Sequence, residues 1–464
     1  MTDSISPERL AGPRIDALPK LTRFHYQALI VLILGYWFEF YAVNATTFVI
    51  PSLMQTWHMD TVMSGLVLTA NGWGMLVGAL TGGFLSDIYG RRTNFTWALA
   101  VFAVFTFIAG FAQNPWQMIA ARAIGGWGMG AETDSCTTYI QELYPSRMRG
   151  RVTSVAFGFG ISLANLGCMA IWILLGIPYG WQWVFWWGGS FAVIVYIIRL
   201  LWLPESPRWL QAQGRWEEAE HVMAKLEKDI PVESKSKYLE DVKTLASKAL
   251  AAPVEKEHFK VGDLLSPDYR KRTAVCWSMT FLAYMGDRGY YAWITPLLIL
   301  AFGSTVGALA AGIPLSLGMF FGAVVISGLV TDRIGRKTSM IISSVMMTVF
   351  ALVLGQIFGV AEYFWWVIVF AILIRVAAGV FYPNQYTYVT EQYPTRFRAL
   401  SFATSTTWSR LTDSTAAVIF GYIISTLGAR WIFNISAVFL ICPAIILALW
   451  GISTKGKTLE ELSK

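Results

Sequence analysis

The chain has 464 residues, of which 55% are hydrophobic and only 14% charged, with 21 Trp and 29 Phe, whereas a soluble domain carries roughly 25% charged residues. That composition excludes a soluble protein and embeds the chain in a membrane. The formal charge of +7 is scattered over short loops instead of forming one aromatic-laced patch, which excludes a nucleic-acid partner.

Residues 1–23 lack a short apolar core followed by a small-residue cleavage site, so no signal peptide is expected. At about 20 apolar residues per crossing, six spans are predicted near 26–52, 62–88, 93–113, 115–144, 151–178 and 181–203. Span 1 carries Glu39. Span 2 has the ladder Gly74, Gly78 and Gly82, whose missing side chains admit a neighbouring helix. It ends in a G-x-x-x-D-x-x-G-R-[RK] element at Gly83, Asp87, Gly90, Arg91 and Arg92. Asp87 there can pair with a basic residue or cap an adjacent helix, and Gly90 permits the tight turn. Span 4 holds Arg122, Glu132 and Asp134, then Glu142-x-x-Pro145-x-x-x-Arg149. Glu132 and Asp134 stand about 200° apart on a helix, so one cavity receives only one of them, and Glu132 is the favoured one.

Residues 204–272 are rich in Lys and Glu and too polar to span; Trp216, Ala219, Val222, Met223 and Leu226 recur there at helical spacing, predicting a short amphipathic helix over 215–229. Six further spans follow near 273–301, 304–332, 337–359, 363–392, 399–427 and 429–452. Span 7 holds Asp287 and Arg288 among Tyr284, Tyr290 and Tyr291. The signature element returns at Gly328, Asp332, Gly335, Arg336 and Lys337. Span 10 has Arg375, Tyr382 and Gln385, then Glu391-x-x-Pro394-x-x-x-Arg398. Arg410 and Asp413, three apart in span 11, share a face and can pair with each other; alternatively Arg410 meets a substrate carboxylate with two parallel hydrogen bonds. The two motif pairs recur 245 and 249 residues apart, so the chain reads as a duplicated six-span unit, 1–203 and 273–464 joined by 204–272.

Lys and Arg fall mainly in alternate loops, which predicts that these loops and both termini are cytoplasmic. The four Cys lie in apolar segments without metal-ligand spacing, so neither disulfide nor metal is expected. No phosphate loop or Ser/His/Asp set appears, so the chain reads as a non-enzyme with no cofactor. Ionisable side chains are expensive inside a bilayer and are functional candidates by default. No His falls in a predicted span, so a transported proton must ride on a carboxylate.

These motifs resemble the major facilitator superfamily across nearly the whole chain, and the resemblance implies an all-α membrane protein of twelve transmembrane helices in two six-helix bundles. Arg122-x-x-x-Gly126-x-Gly128-x-Gly130, Pro204-Glu-Ser-Pro-Arg-Trp-Leu210 and Thr454-Lys-Gly-Lys-Thr-Leu-Glu-Glu461 are similar to sugar porters and their metabolite:proton symporter relatives. Where sugar porters show a glutamine pair, span 7 reads Tyr284-Met-Gly-Asp-Arg-Gly-Tyr-Tyr291, which argues against a hexose. The resemblance assigns proton coupling to Glu39 paired with Arg122, and to Glu132, with Asp134 as the further proton-coupling candidate. It assigns cytoplasmic gating to the Asp87, Arg91, Arg92, Glu142 and Arg149 cluster and to Asp332, Arg336, Lys337, Glu391 and Arg398. The expected protein is a monomeric bacterial inner-membrane symporter of protons and a small organic carboxylate, bound near Asp287, Arg288, Tyr291, Arg375, Tyr382, Gln385, Arg410 and Asp413. Two alternatives stay open: a cation or drug:proton antiporter using Asp287, Glu132 and Asp413, and a non-transporting sensor.

Overall fold

The computed structural model describes residues 9–251, 261–302, 305–393 and 398–452. Twelve long helical segments form the bundle among these residues. They are α1 Arg23–Trp57, α2 Thr61–Tyr89, α3 Arg91–Ala109, α4 Pro115–Leu143, α5 Ser146–Ile171 and α6 Gln182–Trp202, then α7 Arg270–Phe302. α8 runs Thr305–Phe321, through a π-turn at Gly322–Ile326, into Ser327–Ile334; α9 Arg336–Ile357, α10 Phe364–Glu391, α11 Arg398–Leu427 and α12 Arg430–Trp450 complete the set. Leu80, Phe84, Leu201 and Trp365 are exposed on the outer surface, an apolar coat that suits lipid as solvent. Three apolar cores lie within α1–α6 and the adjoining linker, a small one joins Ala17 and Leu18 to Tyr238 and Val242 of the linker, and one large core lies within α7–α12.

Local chemistry sets the helix ends. Asp60 accepts from the Met63 amide at 2.7 Å to start α2, and Asn114 accepts from the Gln117 amide at 3.0 Å to start α4, with Pro115 at the first helical position. The duplicated element folds the same way twice. Gly90 (φ 102°) turns α2 into α3 and Gly335 (φ 87°) turns α8 into α9, a backbone that L side chains rarely adopt. Close approach then follows from the glycines: a Cβ on Gly74 or Gly78 would collide with α4 carbonyls, and one on Gly322 or Gly379 would collide across the α8–α10 contact.

Between the two groups of helices, the described contacts gather at the end far from the basic loops. Thr61 Oγ1 donates to the Gly421 carbonyl at 2.9 Å, Asn165 of α5 donates to Ser316 of α8, and Gly72 lies against the Asp413 backbone. The chain is closed at that end.

The linker folds onto α1–α6. Trp216–Glu227 is a helix that buries Ala219, Val222, Met223 and Leu226, and Val232–Ala251 forms a further helix. A short helix at Ala11–Asp16, which the sequence pattern did not reveal, is held there by Arg14. Its guanidinium bonds Glu220 at 2.6 Å and Glu227 at 2.7 Å, which holds the Glu220 carboxyl below its ordinary range. Glu205 accepts from the Arg92 amide at 2.9 Å and the Thr93 amide at 3.3 Å, capping α3. We expect Glu205→Ala to lower stability by about 1–2 kcal/mol, measured as a reduced Tm in detergent; an unchanged Tm would mean that α3 needs no cap.

Candidate substrate and proton site

In α1–α6 two charged residues meet, one from the middle of α4 and one from the last turn of α6. Glu132 and Arg199 stand seventeen residues on from Pro115 and Gln182, the first residues of α4 and α6, so they meet at one level. Arg199 donates to Glu132 and, at 3.2 Å, to the Phe95 carbonyl, with its guanidinium 5.2 Å from the Phe95 ring centroid. Both side chains are buried. A Cβ on Gly35 of α1 would collide with this pair, so the helix bearing Glu39 seats directly on it. Glu39 is buried one turn further along α1. Arg199 was not among the sequence candidates. Its place in the last turn of α6 makes it read, in the sequence, as a cation at the membrane interface.

The expected Glu39–Arg122 pair does not form in this conformation. Arg122 is buried, donates to the Ala42 carbonyl at 2.8 Å and faces the Phe185 ring at 5.7 Å, while its Nε and Nη1 have no hydrogen-bond partner. The physical reason is the position of Ala42: its carbonyl lies nearly one turn beyond Glu39, toward the end where Arg122 enters α4.

α7, α10 and α11 build the second cluster. Asp287 accepts from Arg375 at 2.9 and 3.2 Å, both side chains are almost fully buried, and the Arg375 guanidinium stacks 4.3 Å from the Tyr291 centroid. Arg288, the next residue, ion-pairs with Asp413 at 2.9 Å. The sequence leaves open whether Asp413 pairs with Arg410 within α11; in this conformation its carboxylate reaches across to α7. Arg288 and Asp413 retain 32% and 29% side-chain exposure inside the bundle, against 6% and 3% for Arg375 and Asp287. The Arg288 pair therefore lines open space and the Arg375 pair does not. Arg410 lies within electrostatic range of Asp413 and Tyr386.

Tyrosines fill the level between these charges. Tyr284 Oη bonds Tyr386 Oη at 2.7 Å, and the Tyr284 and Tyr382 rings lie 4.7 Å apart. Gln385 Nε2 donates to Thr280 Oγ1 at 2.9 Å. The Tyr382 hydroxyl and Gln385 Oε1 are buried with no hydrogen-bond partner among the described residues, unused polar groups of the kind a ligand satisfies. Tyr386 was missed because a tyrosine in an apolar span has no distinguishing periodicity.

The residues that the sequence reading assigns to gating have their described partners within their own half. Arg91 bonds Asp87 at 2.7 Å and Glu142 at 3.0 Å; Arg336 bonds Glu391 at 2.7 Å; Lys337 donates to the Gly451 carbonyl at 2.8 Å. The Arg92 side chain donates to the Leu200 carbonyl at 2.7 Å. The side chains of Asp134, Arg149, Asp332 and Arg398, and all of residues 454–461, lie outside the described residues.

Residues 25–464 match the family described as sugar (and other) transporter. The niacin transporter NiaP of Acinetobacter baylyi is 27% identical over 97% of this chain and 98% of its own. The 4-hydroxybenzoate transporter PcaK of Pseudomonas putida is 26% identical over 94% of this chain and 93% of its own. Among solved structures, a partially occluded inward-open conformation of the xylose transporter XylE from E. coli superimposes with a TM-score of 0.73 and 19% identity, covering 94% of this chain and 100% of that one. The fold is therefore the twelve-helix major facilitator fold, and the chain is a membrane transporter, not an enzyme. It belongs to the sugar (and other) transporter family, within the major facilitator superfamily.

Proposed function

We propose that the chain imports an aromatic carboxylate together with protons by rocking residues 1–203 against 273–464 around the central space. The observation that carries this reading is the Arg288–Asp413 pair, which keeps 32% and 29% side-chain exposure beside Tyr284, Tyr382 and Tyr386, with Arg410 in electrostatic range of Asp413. A guanidinium beside stacking rings suits a flat anion, and this partly exposed pair is the one whose carboxylate a substrate can exchange. NiaP and PcaK, named for niacin and 4-hydroxybenzoate, support the same class of cargo.

Protons would ride on Glu39 and Glu132. Protonating Glu132 would neutralise one partner of the Arg199 pair, a charge change that a two-state protein can read. With the basic loops and termini cytoplasmic, the closed end described above would be the outer one, and the conformation would be inward-facing.

The binding claim is tested by pairing acids with their amides. In detergent, nicotinate and 4-hydroxybenzoate should raise Tm while nicotinamide and 4-hydroxybenzamide should not, and Arg410→Gln should weaken acid binding by at least about tenfold, the loss of one charged hydrogen-bonding partner. Equal shifts by acids and amides, or undiminished binding in Arg410→Gln, would end the anion reading.

A further inference from the structure

A cleft of about 440 Å³ opens at the basic-loop end, away from the central site. It is lined by Phe24 and Gln27 of α1, Arg92 of α3, Leu200 to Pro204 at the end of α6, and Lys225 of the linker helix. Its chemistry is asymmetric. Two cations enter it and no carboxylate lines it. Glu205, which accepts from the Arg92 backbone amide, is already committed to the α3 amides. Lys225 has no ion-pair partner among the described residues, and the Arg92 guanidinium, which donates through Nη2 to the Leu200 carbonyl at 2.7 Å, has no carboxylate on it among those residues. The other rim is apolar and open to the surroundings. Leu201 is 75% exposed and Trp202 48%, and Ile30, one turn along α1 from Gln27, is 54% exposed.

Paired cations beside an exposed apolar strip, at the end of a membrane helix, match an anion with hydrocarbon attached. We propose that this cleft holds the headgroup phosphate of an anionic phospholipid, with Arg92 and Lys225 on the phosphate and the acyl chains along Ile30, Leu201 and Trp202. A free phosphate ion would use the cations and leave the apolar rim unexplained. The site bridges α1, α3, α6 and the linker, so an occupied cleft would fasten the linker to the α1–α6 half in either transport conformation. The proposal uses the membrane embedding of the family and is independent of the identity of the cargo.

The test uses the full chain in detergent, titrated with phosphatidylglycerol, phosphatidylethanolamine or inorganic phosphate, and read both by Tm and by lipids retained in native mass spectrometry. Phosphatidylglycerol should stabilise and be retained, with apparent affinity falling about fivefold in Lys225→Gln and again in Arg92→Gln/Lys225→Gln. Lys225 is exposed on a surface helix, so its variant keeps the experiment informative if Arg92→Gln folds poorly. Retention unchanged in Lys225→Gln, equal binding of phosphatidylethanolamine, or stabilisation by inorganic phosphate matching that by phosphatidylglycerol would each overturn the lipid site.

Discussion

Replacing Arg375 with alanine should destabilise the chain by about 3–5 kcal/mol, because it leaves a buried carboxylate with no countercharge. Asp287 accepts twice from Arg375 and both are nearly inaccessible, so water cannot take over. The variant also loses the guanidinium stacked on Tyr291, a contact worth roughly 0.5–2 kcal/mol. The companion variant Asp287→Asn/Arg375→Gln removes both charges at similar volume and should recover much of the loss, since a buried pair often contributes little against a neutral replacement. Thermal melts of the single and double variants in detergent decide it. A single variant that melts like the wild type, or a double variant no better than Arg375→Ala, would show that the pair does not hold α7 to α10.

Gly65→Trp should block the closed conformation and with it the transport cycle. A Cβ at Gly65 would lie 2.7 Å from the Ala417 carbonyl oxygen and 2.8 Å from Val418 Cα. Both are backbone atoms of α11, which cannot swing aside as a side-chain tip does. Overpacking costs roughly 1–3 kcal/mol, occasionally more, and an indole at a backbone contact belongs at the upper end. That shifts the balance between conformations by on the order of a hundredfold. Leu68, which packs against the α7–α12 core, supplies the readout. In a Leu68→Cys background an impermeant maleimide should label slowly from the closed end, and rapidly once Gly65→Trp is added. Equal labelling with and without the tryptophan would contradict the closed contact between α2 and α11.

The sequence carried the helices and the list of charged residues much further than it carried their partners. Span positions follow from hydropathy, and the repeated element predicts one tight turn twice, which Gly90 and Gly335 both adopt. Ion pairs between helices depend instead on rotation and relative depth, which no spacing rule contains. Arg288 therefore meets Asp413 across two helices although Arg410 is three residues away, and Arg199, in the last turn of α6, meets Glu132 of α4. His25 shows the same limit at a boundary. The span predicted from residue 26 leaves it outside, yet it is buried in the first turn of α1, where its ring bonds Thr22 at 2.8 Å and the Leu143 carbonyl at 3.2 Å. The helix at Ala11–Asp16 is too short to show periodicity and depends on acids more than 200 residues away.

The central claim is that carboxylate and proton move together, and uptake into proteoliposomes tests it most directly. With the protein in vesicles of alkaline interior, radiolabelled 4-hydroxybenzoate and nicotinate should accumulate above protein-free vesicles, and the gain should vanish in Glu132→Gln and Glu39→Gln. Protein-dependent uptake that ignores the pH gradient and persists unchanged in both variants would contradict the account.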